Sequence, residues 1–416
     1  MYVSVRGIPH GTRAAARVPR VVVVLGLVSL ITDVSTEMVT AVLPLFATLA
    51  LGLTPLAYGM LDGLYQGATV VVRLLGGFGA DRTRRPKLVA GAGYALGAAA
   101  KLMLLPVGGA GALSAAVAVD RAGKGLRTAP RDLLIAAAAP PDRLGRAFGV
   151  HRALDATGAL LGPVVAFGLL ALAPGDFDMI FVVACCAAVL GLLLFVQRVP
   201  EHGSNHGSEN GPERDDTPPV ALRDVAALLR IRGFRRLLCA AAVLSAATIG
   251  DGLLYLALLH GGSVTTRWFP LLFVCTSLVY LALAVPFGRL SDRHGRNRVL
   301  TAGYGLLLAA YVTAALAGGP AAALLCLVFL GAYYAATDGV LPAAAAPLLP
   351  AGLTATGIAA VQAVAAAGRA LGAAAFGAVW TAAEGGTAVW TFAAALTAAL
   401  LTAVPLIARH PRTEPR

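Results

Sequence analysis

The segment GFGADRTRRPK, residues 77–87, returns later in the chain as GRLSDRHGRNR, residues 288–298. Gly77, Asp81, Arg82 and Arg85 correspond to Gly288, Asp292, Arg293 and Arg296, each 211 positions further on. Both copies lie between two long apolar segments, so each reads as a basic turn between two helices. Gly158 and Gly162 match Gly368 and Gly372 at an offset of 210, and Pro130 matches Pro342 at 212. The chain reads as an internal duplication.

Composition sets the class. Of 416 residues, 58% are hydrophobic and only 13% charged, and the mean hydropathy is +0.78, far outside soluble averages. Crossing the hydrocarbon core takes about 20 mostly apolar residues. Twelve such stretches can be marked off, near 22–50, 56–79, 87–106, 111–129, 147–172, 179–197, 236–259, 267–289, 299–317, 321–346, 355–381 and 388–408. They are long and rich in Ala, Leu and Gly, whereas barrel strands would alternate over about ten residues. The expected fold is therefore an all-α integral membrane protein.

The net charge of +12 falls in alternate loops. Arg6, Arg13, Arg17 and Arg20 precede the first span; Arg82, Arg84, Arg85, Lys87, Arg143, Arg146, Arg232, Arg235, Arg236, Arg293, Arg296 and Arg298 fill the even loops. The odd loops set Arg267 against Asp176, Asp178 and Glu384. By the positive-inside rule both termini are cytoplasmic, and the charge reports topology rather than nucleic-acid binding. The first apolar run carries Asp33 and Glu37 and lacks a cleavage site, so it is expected to remain as a span. Five cysteines, all within apolar runs, have no metal-ligand spacing.

The polar stretch 199–235 divides the chain. Through Pro219 it has the composition of a disordered linker, and Leu222 to Arg236 reads as an amphipathic surface helix. The expected organisation is a cytoplasmic tail (1–20), a six-helix bundle (21–198), a cytoplasmic linker with an amphipathic helix (199–235), a second six-helix bundle (236–408) and a cytoplasmic tail (409–416). Abundant alanine and a preference for arginine over lysine point to a high-G+C bacterium and hence to its inner membrane.

These residues resemble a known family. Gly77 to Lys87 is similar to the loop signature of the major facilitator superfamily, G-x-x-x-D-R-x-G-R-R/K, with Arg84 where a glycine is usual; the second copy keeps that glycine as Gly295. Arg121, Lys124 and Gly125 resemble the fourth-helix signature R-x-x-Q-G, with lysine for glutamine. Gly149, Gly158, Gly162 and Pro163 resemble the fifth-helix antiporter signature, although Ala166 and Phe167 replace its final glycines. The text from Asp120 to Asp155 resembles a bacterial and archaeal branch. The resemblance implies twelve transmembrane helices in two pseudo-symmetric six-helix bundles, and it is similar to drug:proton antiporter-like members. The loop motifs would then act as a gate, although topology alone also explains their arginines. Close helix packing would by itself explain Gly158 and Gly162.

Charges inside the spans are the guide to chemistry, because an ionised group in hydrocarbon must be paired or face water. Asp33 lies about 17 Å along the first span, and Glu37 follows one turn later on the same face. Asp120, Lys124, Arg127 and Arg131 form one stripe on the fourth span, with Arg121 turned from it by about 100°. In the resembled fold both helices line the cavity, so Asp33 or Glu37 can meet Arg121 or Lys124. These four are the candidate proton-coupling residues. Asp155, His151 and Arg152 are expected in a surface or gate network. Asp62, Lys101, Asp251, Tyr255, Tyr333, Asp338, Gln362 and Arg369 are the candidate substrate contacts, with the second half expected to bind substrate and the first to handle protons.

The expected activity is alternating-access transport of a small molecule, coupled to protons as efflux. An importer of a polar or anionic metabolite by symport and a non-transporting receptor are the alternatives. No cofactor is implied: no phosphate-binding loop motif occurs, so the proton gradient is the energy source. No catalytic constellation or metal cluster is present in the sequence. The expected partners are the substrate, protons and the lipid bilayer, with no nucleic acid, and the chain is expected to work as a monomer.

Overall fold

The computed structural model describes residues 18–68, 85–139, 144–200, 228–316, 318–350 and 353–408. Among these every regular element is helical. The first half comprises α1 (Arg20–Leu45, continuing as a π-helical stretch Phe46–Ala50), α2 (described over 55–68), α3 (Pro86–Leu104), α4 (Ala110–Ala138), α5 (Leu144–Leu172) and α6 (Phe177–Arg198). The second comprises α7 (Arg232–Ala246), α8 (Asp251–His260), α9 (Phe269–His294), α10 (Arg296–Leu316), α11 (Pro320–Thr337), α12 (Val340–Ala345), α13 (Thr354–Ala382) and α14 (Gly385–Ala408).

The packing repeats between the halves. In the first, α1 packs on α5 and α6, and α3 on α4 and α6; in the second, α7 packs on α13 and α14, and α10 on α11 and α14. This is the pseudo-symmetry expected of the duplication, but two spans of the second half are interrupted, the tenth (expected over 321–346) between α11 and α12 and the seventh more sharply. The seventh span, expected as a single helix over 236–259, is broken into α7 and α8. At the break the Ile249 N–H donates to the Tyr311 hydroxyl at 2.7 Å, and that hydroxyl lies 3.4 Å from the Ala247 carbonyl oxygen. A buried tyrosine thus satisfies backbone groups that hydrocarbon could not. Arg232 to Arg236, expected in a surface helix, form the first turns of α7, and Phe234 is buried.

Among the described residues ten helical segments are long and apolar enough to cross a membrane. The fourth span is not among them, because Asp120, Arg121, Lys124, Arg127, Arg131 and Asp132 interrupt it. It is also longer than the expected 111–129. The helix continues through Pro130, which is tolerated in a packed membrane helix, and buries Leu134 and Ile135 beyond it.

What fixes α4 is a buried ion triad. Asp120 accepts from Lys101 of α3 through one carboxylate oxygen and from Arg121 through the other. All three are more than nine-tenths buried. Lys101, a candidate substrate contact, therefore has its ammonium engaged inside the first half, and Arg121 pairs with its own neighbour rather than with an α1 carboxylate.

Two glycine contacts set the remaining geometry. A methyl at Gly158 would come within 2.4 Å of the Leu30 carbonyl oxygen, and one at Gly162 within 2.8 Å of the Met38 nitrogen, so α1 and α5 touch backbone to backbone. Between the halves, a methyl at Gly59 would meet the Ala373 carbonyl oxygen at 2.4 Å, and one at Gly377 the Pro55 carbonyl oxygen at 2.3 Å. The Leu56 N–H donates to Thr381 Oγ1 at 3.0 Å, and the Phe167 and Trp268 rings stack at 5.2 Å. These inter-half contacts gather at the end of the molecule that carries Ala50 and Ala382.

Two outcomes follow. Gly158→Ala forces a methyl into backbone and is expected to cost about 1–3 kcal/mol, whereas Gly149→Ala, inside α5 with nothing within 4 Å of the added carbon, is expected to stabilise by up to about 1 kcal/mol. Thermal unfolding of the purified protein in detergent compares them. Asp120→Asn strands two buried cations and is expected to cost about 3–5 kcal/mol; Lys101→Met, which leaves the Asp120–Arg121 pair intact, costs clearly less in the same assay.

Candidate functional site

The α4 stripe meets carboxylates from two other helices. Lys124 Nζ lies 3.4 Å from Glu37 Oε1, and Arg127 Nη2 lies 3.6 Å from Asp33 Oδ1. One turn on, Arg131 Nη1 donates to Ser29 Oγ at 3.1 Å and lies 3.4 Å from Asp155 Oδ1 of α5. Successive turns of one helix are thus tied to α1 and α5, as the spacing of the stripe requires. The guanidinium of Arg121 sits 4.0 Å above the centre of the Tyr65 ring, and that of Arg127 4.9 Å from the centre of Tyr94.

Of the candidate proton-coupling residues, Glu37 and Lys124 are brought together, Asp33 takes Arg127 instead, and Arg121 is held by Asp120. The residue that spacing alone undervalued is Asp155. Its carboxylate takes Arg131, one turn along α4 from the Arg127 that takes Asp33, so the two acids share one stretch of the stripe. His151, beside it, is buried with Nε2 3.0 Å from Ser29 Oγ. The α1–α5 repeat of small and polar residues was the available signal, but it does not name the partner.

Between the halves lies a cavity of about 240 Å³. Glu37, Asp62 and Asp251 supply its acids, and Tyr58, Tyr65 and Phe273 its aromatic walls. Glu37 therefore belongs both to the cavity and to the ion pair with Lys124. Asp251 begins α8, where the helix N-terminus favours a carboxylate, and the Tyr334 hydroxyl donates to its Oδ1 at 2.5 Å. The remaining candidates lie elsewhere. Tyr255 is fully buried and hydrogen-bonded to Thr276 at 2.7 Å; it supports Phe273 from behind, the ring centres being 4.7 Å apart. Tyr333 is buried between Tyr304 and Tyr334. Asp338 and Gln362 are exposed, and Arg369 is half-buried.

The loop and helix motifs are placed as follows. Gly77, Asp81 and Arg82 lie outside the described residues, and Arg85 is exposed at the start of α3. In the second copy, Gly295 takes a positive φ of 93° that turns α9 into α10, and Arg296 Nη1 donates to the Ala343 carbonyl at 2.7 Å. Asp292 and Arg293 are exposed, and Gly288 has open space beside it. Gly158 and Gly162 pack on α1, Pro163 is buried within α5, and Gly149 faces open space.

Comparison with known proteins agrees with this arrangement. Residues 25–269 match the family profile of the Major Facilitator Superfamily. An MFS-type transporter of Methanocaldococcus jannaschii is 30% identical over 292 residues, 68% of this chain and 69% of that protein. A Mycobacterium tuberculosis protein is 35% identical over 220 residues, 52% of this chain and 51% of its own length. Among solved structures, a variant of the nucleoside transporter NupG superposes with a TM-score of 0.79 at 13% identity, covering 93% of this chain and all of that one. A peptide transporter POT bound to sulfate gives 0.75 at 18% identity, covering 94% of each chain. The structural likenesses carry the fold alone; with the sequence matches, the duplicated helix packing and the cavity between its halves, they make this chain a member of the Major Facilitator Superfamily, a transporter of that type.

Proposed function

We propose that this transporter exports a small molecule in exchange for protons. The observation that carries the reading is the double placement of Glu37, which borders the cavity and holds Lys124. Anything that engages Glu37 from the cavity, proton or cation, competes with Lys124. A proton and a positively charged solute also exclude each other at one carboxylate, and mutual exclusion at a shared site yields exchange rather than co-transport. Asp33 and Asp155 extend the acidic path from Glu37 toward the arginine-rich end of α1 and α5. The gradient supplies about 2.3 kcal/mol per charge for each 100 mV. With the arginine-rich loops in the cytoplasm, the close backbone contacts at Gly59 and Gly377 form a glycine seal on the far side of the membrane, and the cavity faces inward.

One feature favours symport of an anion. The Lys124 side chain is 32% exposed, unlike the deeply buried Lys101, so a proton on Glu37 would release a cation to an anionic substrate.

Proteoliposomes containing a pH dye separate the two. With a panel of cationic, neutral and anionic compounds, the expected outcome is proton movement opposite to the compound, lost in Glu37→Gln and diminished in Asp33→Asn. Movement of both in the same direction establishes symport. Binding without any proton movement leaves a uniporter or a receptor.

A further inference from the structure

We propose that the cavity selects organic cations, and that Asp62 and Asp251, one from each half of the molecule, form the pair that holds the positive group. The inference rests on the chain being a transporter, not on the direction or coupling of transport.

Asp62 Oδ2 is fully buried and accepts no hydrogen bond from any described residue. Such an oxygen inside a membrane protein is costly unless a proton completes it; having no accessible surface it is not itself the contact atom, and a ligand meets Asp62 from the cavity that the side chain lines. Its position depends on Gly250, the residue before α8: a methyl there would lie 2.0 Å from Oδ2. The break between α7 and α8 thus makes room for the carboxyl of α2 and places Asp251 beside it in the sequence. Asp251 is oriented by Tyr334 through Oδ1. Both acids line the same cavity with Tyr58, Tyr65 and Phe273.

The charge balance around the cavity favours a cation. Among the described residues its lining contains three acids and no lysine or arginine. Lys124 neutralises Glu37. On the second half, Arg369 acts through its charge on Asp62, Asp251 and Asp338, and Asp338 acts with opposite sign on Asp251. Arg369 forms no ion pair with either member of the Asp62–Asp251 pair among the described residues. Carboxylates for the charge and ring faces for the body are what an aromatic or alkyl ammonium requires. An anion would face the carboxylates of Asp62 and Asp251, which no lysine or arginine pairs among the described residues. A cation held by both acids would also bridge the two halves, so occupancy and the closure of the seal are mechanically linked.

The test is equilibrium binding to the purified full-length protein in detergent, without any gradient, read by saturation-transfer NMR at neutral pH. The probes are 2-phenylethylammonium, 2-phenylethanol and 3-phenylpropanoate, which share a ring and differ in charge. The ammonium is expected to bind about tenfold more tightly than either other probe, as hydrogen bonds to charged groups allow. Asp62→Asn and Asp251→Asn are each expected to remove about tenfold of that affinity while alcohol binding and melting temperature stay unchanged. Equal binding of the three probes, preference for the anion or alcohol, binding of none at millimolar concentration, or ammonium binding untouched in both variants overturns the proposal. The selectivity of the wild type needs no variant, so a folding defect leaves the test intact. Cation selectivity with no proton flux in the liposome assay removes exchange and keeps this site; flux without cation selectivity does the reverse.

Discussion

A helix that carries six ionised residues can sit among apolar neighbours only if those charges find partners, and α4 imposes that condition on its whole half of the protein. Asp120 holds Lys101 and Arg121, Glu37 meets Lys124, Asp33 meets Arg127, and Asp155 meets Arg131. The partners come from α1, α3 and α5 as well as from α4 itself. Because the contacts lie on successive turns, sliding α4 by one turn against α1 would bring the wrong charges together at several levels at once. The ion pairs therefore fix register more than they add stability, since removing charge from water offsets most of the attraction gained. The glycines of α5 do the complementary work, bringing α1 close to α5 so that Ser29 and Asp155 both reach Arg131.

The parts of this arrangement visible in the sequence are those that hydropathy and helical period encode. The spans, the duplication and the stripe of Asp120, Lys124, Arg127 and Arg131 follow from residue type and spacing. Partner choice does not. Spacing puts Asp33 and Glu37 on one face, but which cation each takes depends on the rotation and height of α4 against α1, set by contacts distant in sequence. The length of α4 was hidden because Pro130 and the charges after it look like a helix end in water, while in a packed membrane helix neighbouring backbone and side chains tolerate the proline.

The break between α7 and α8 was hidden for a different reason. Ala247, Thr248, Ile249 and Gly250 are small or apolar, so a hydropathy profile passes over them without a dip. What ends α7 there is a tertiary partner, the Tyr311 hydroxyl from α10. The same break supplies the gap that Asp62 fills. A residue from the first half and a gap in the second are thus fitted to each other, and neither has meaning without its counterpart.

The two halves also differ in how their charges are placed. In the first, the charges largely satisfy one another, and its helices are pinned together as one body. In the second, the charges within the described spans are few, and of Asp251, Asp338 and Arg369 only Asp251 borders the cavity, held by Tyr334 of a tyrosine cluster. Asp62 lies where the bodies meet, against Gly250 and close to the seal formed by Gly59, Gly377 and their backbone neighbours. Rocking the halves apart at that end must withdraw Asp62 from the α8 terminus and admit water to it. With a cation held there as proposed, a charge placed on or removed from Asp62 would change the free energy of the closed arrangement relative to the open one, and one carboxyl would link the cavity's contents to the side of the membrane it faces.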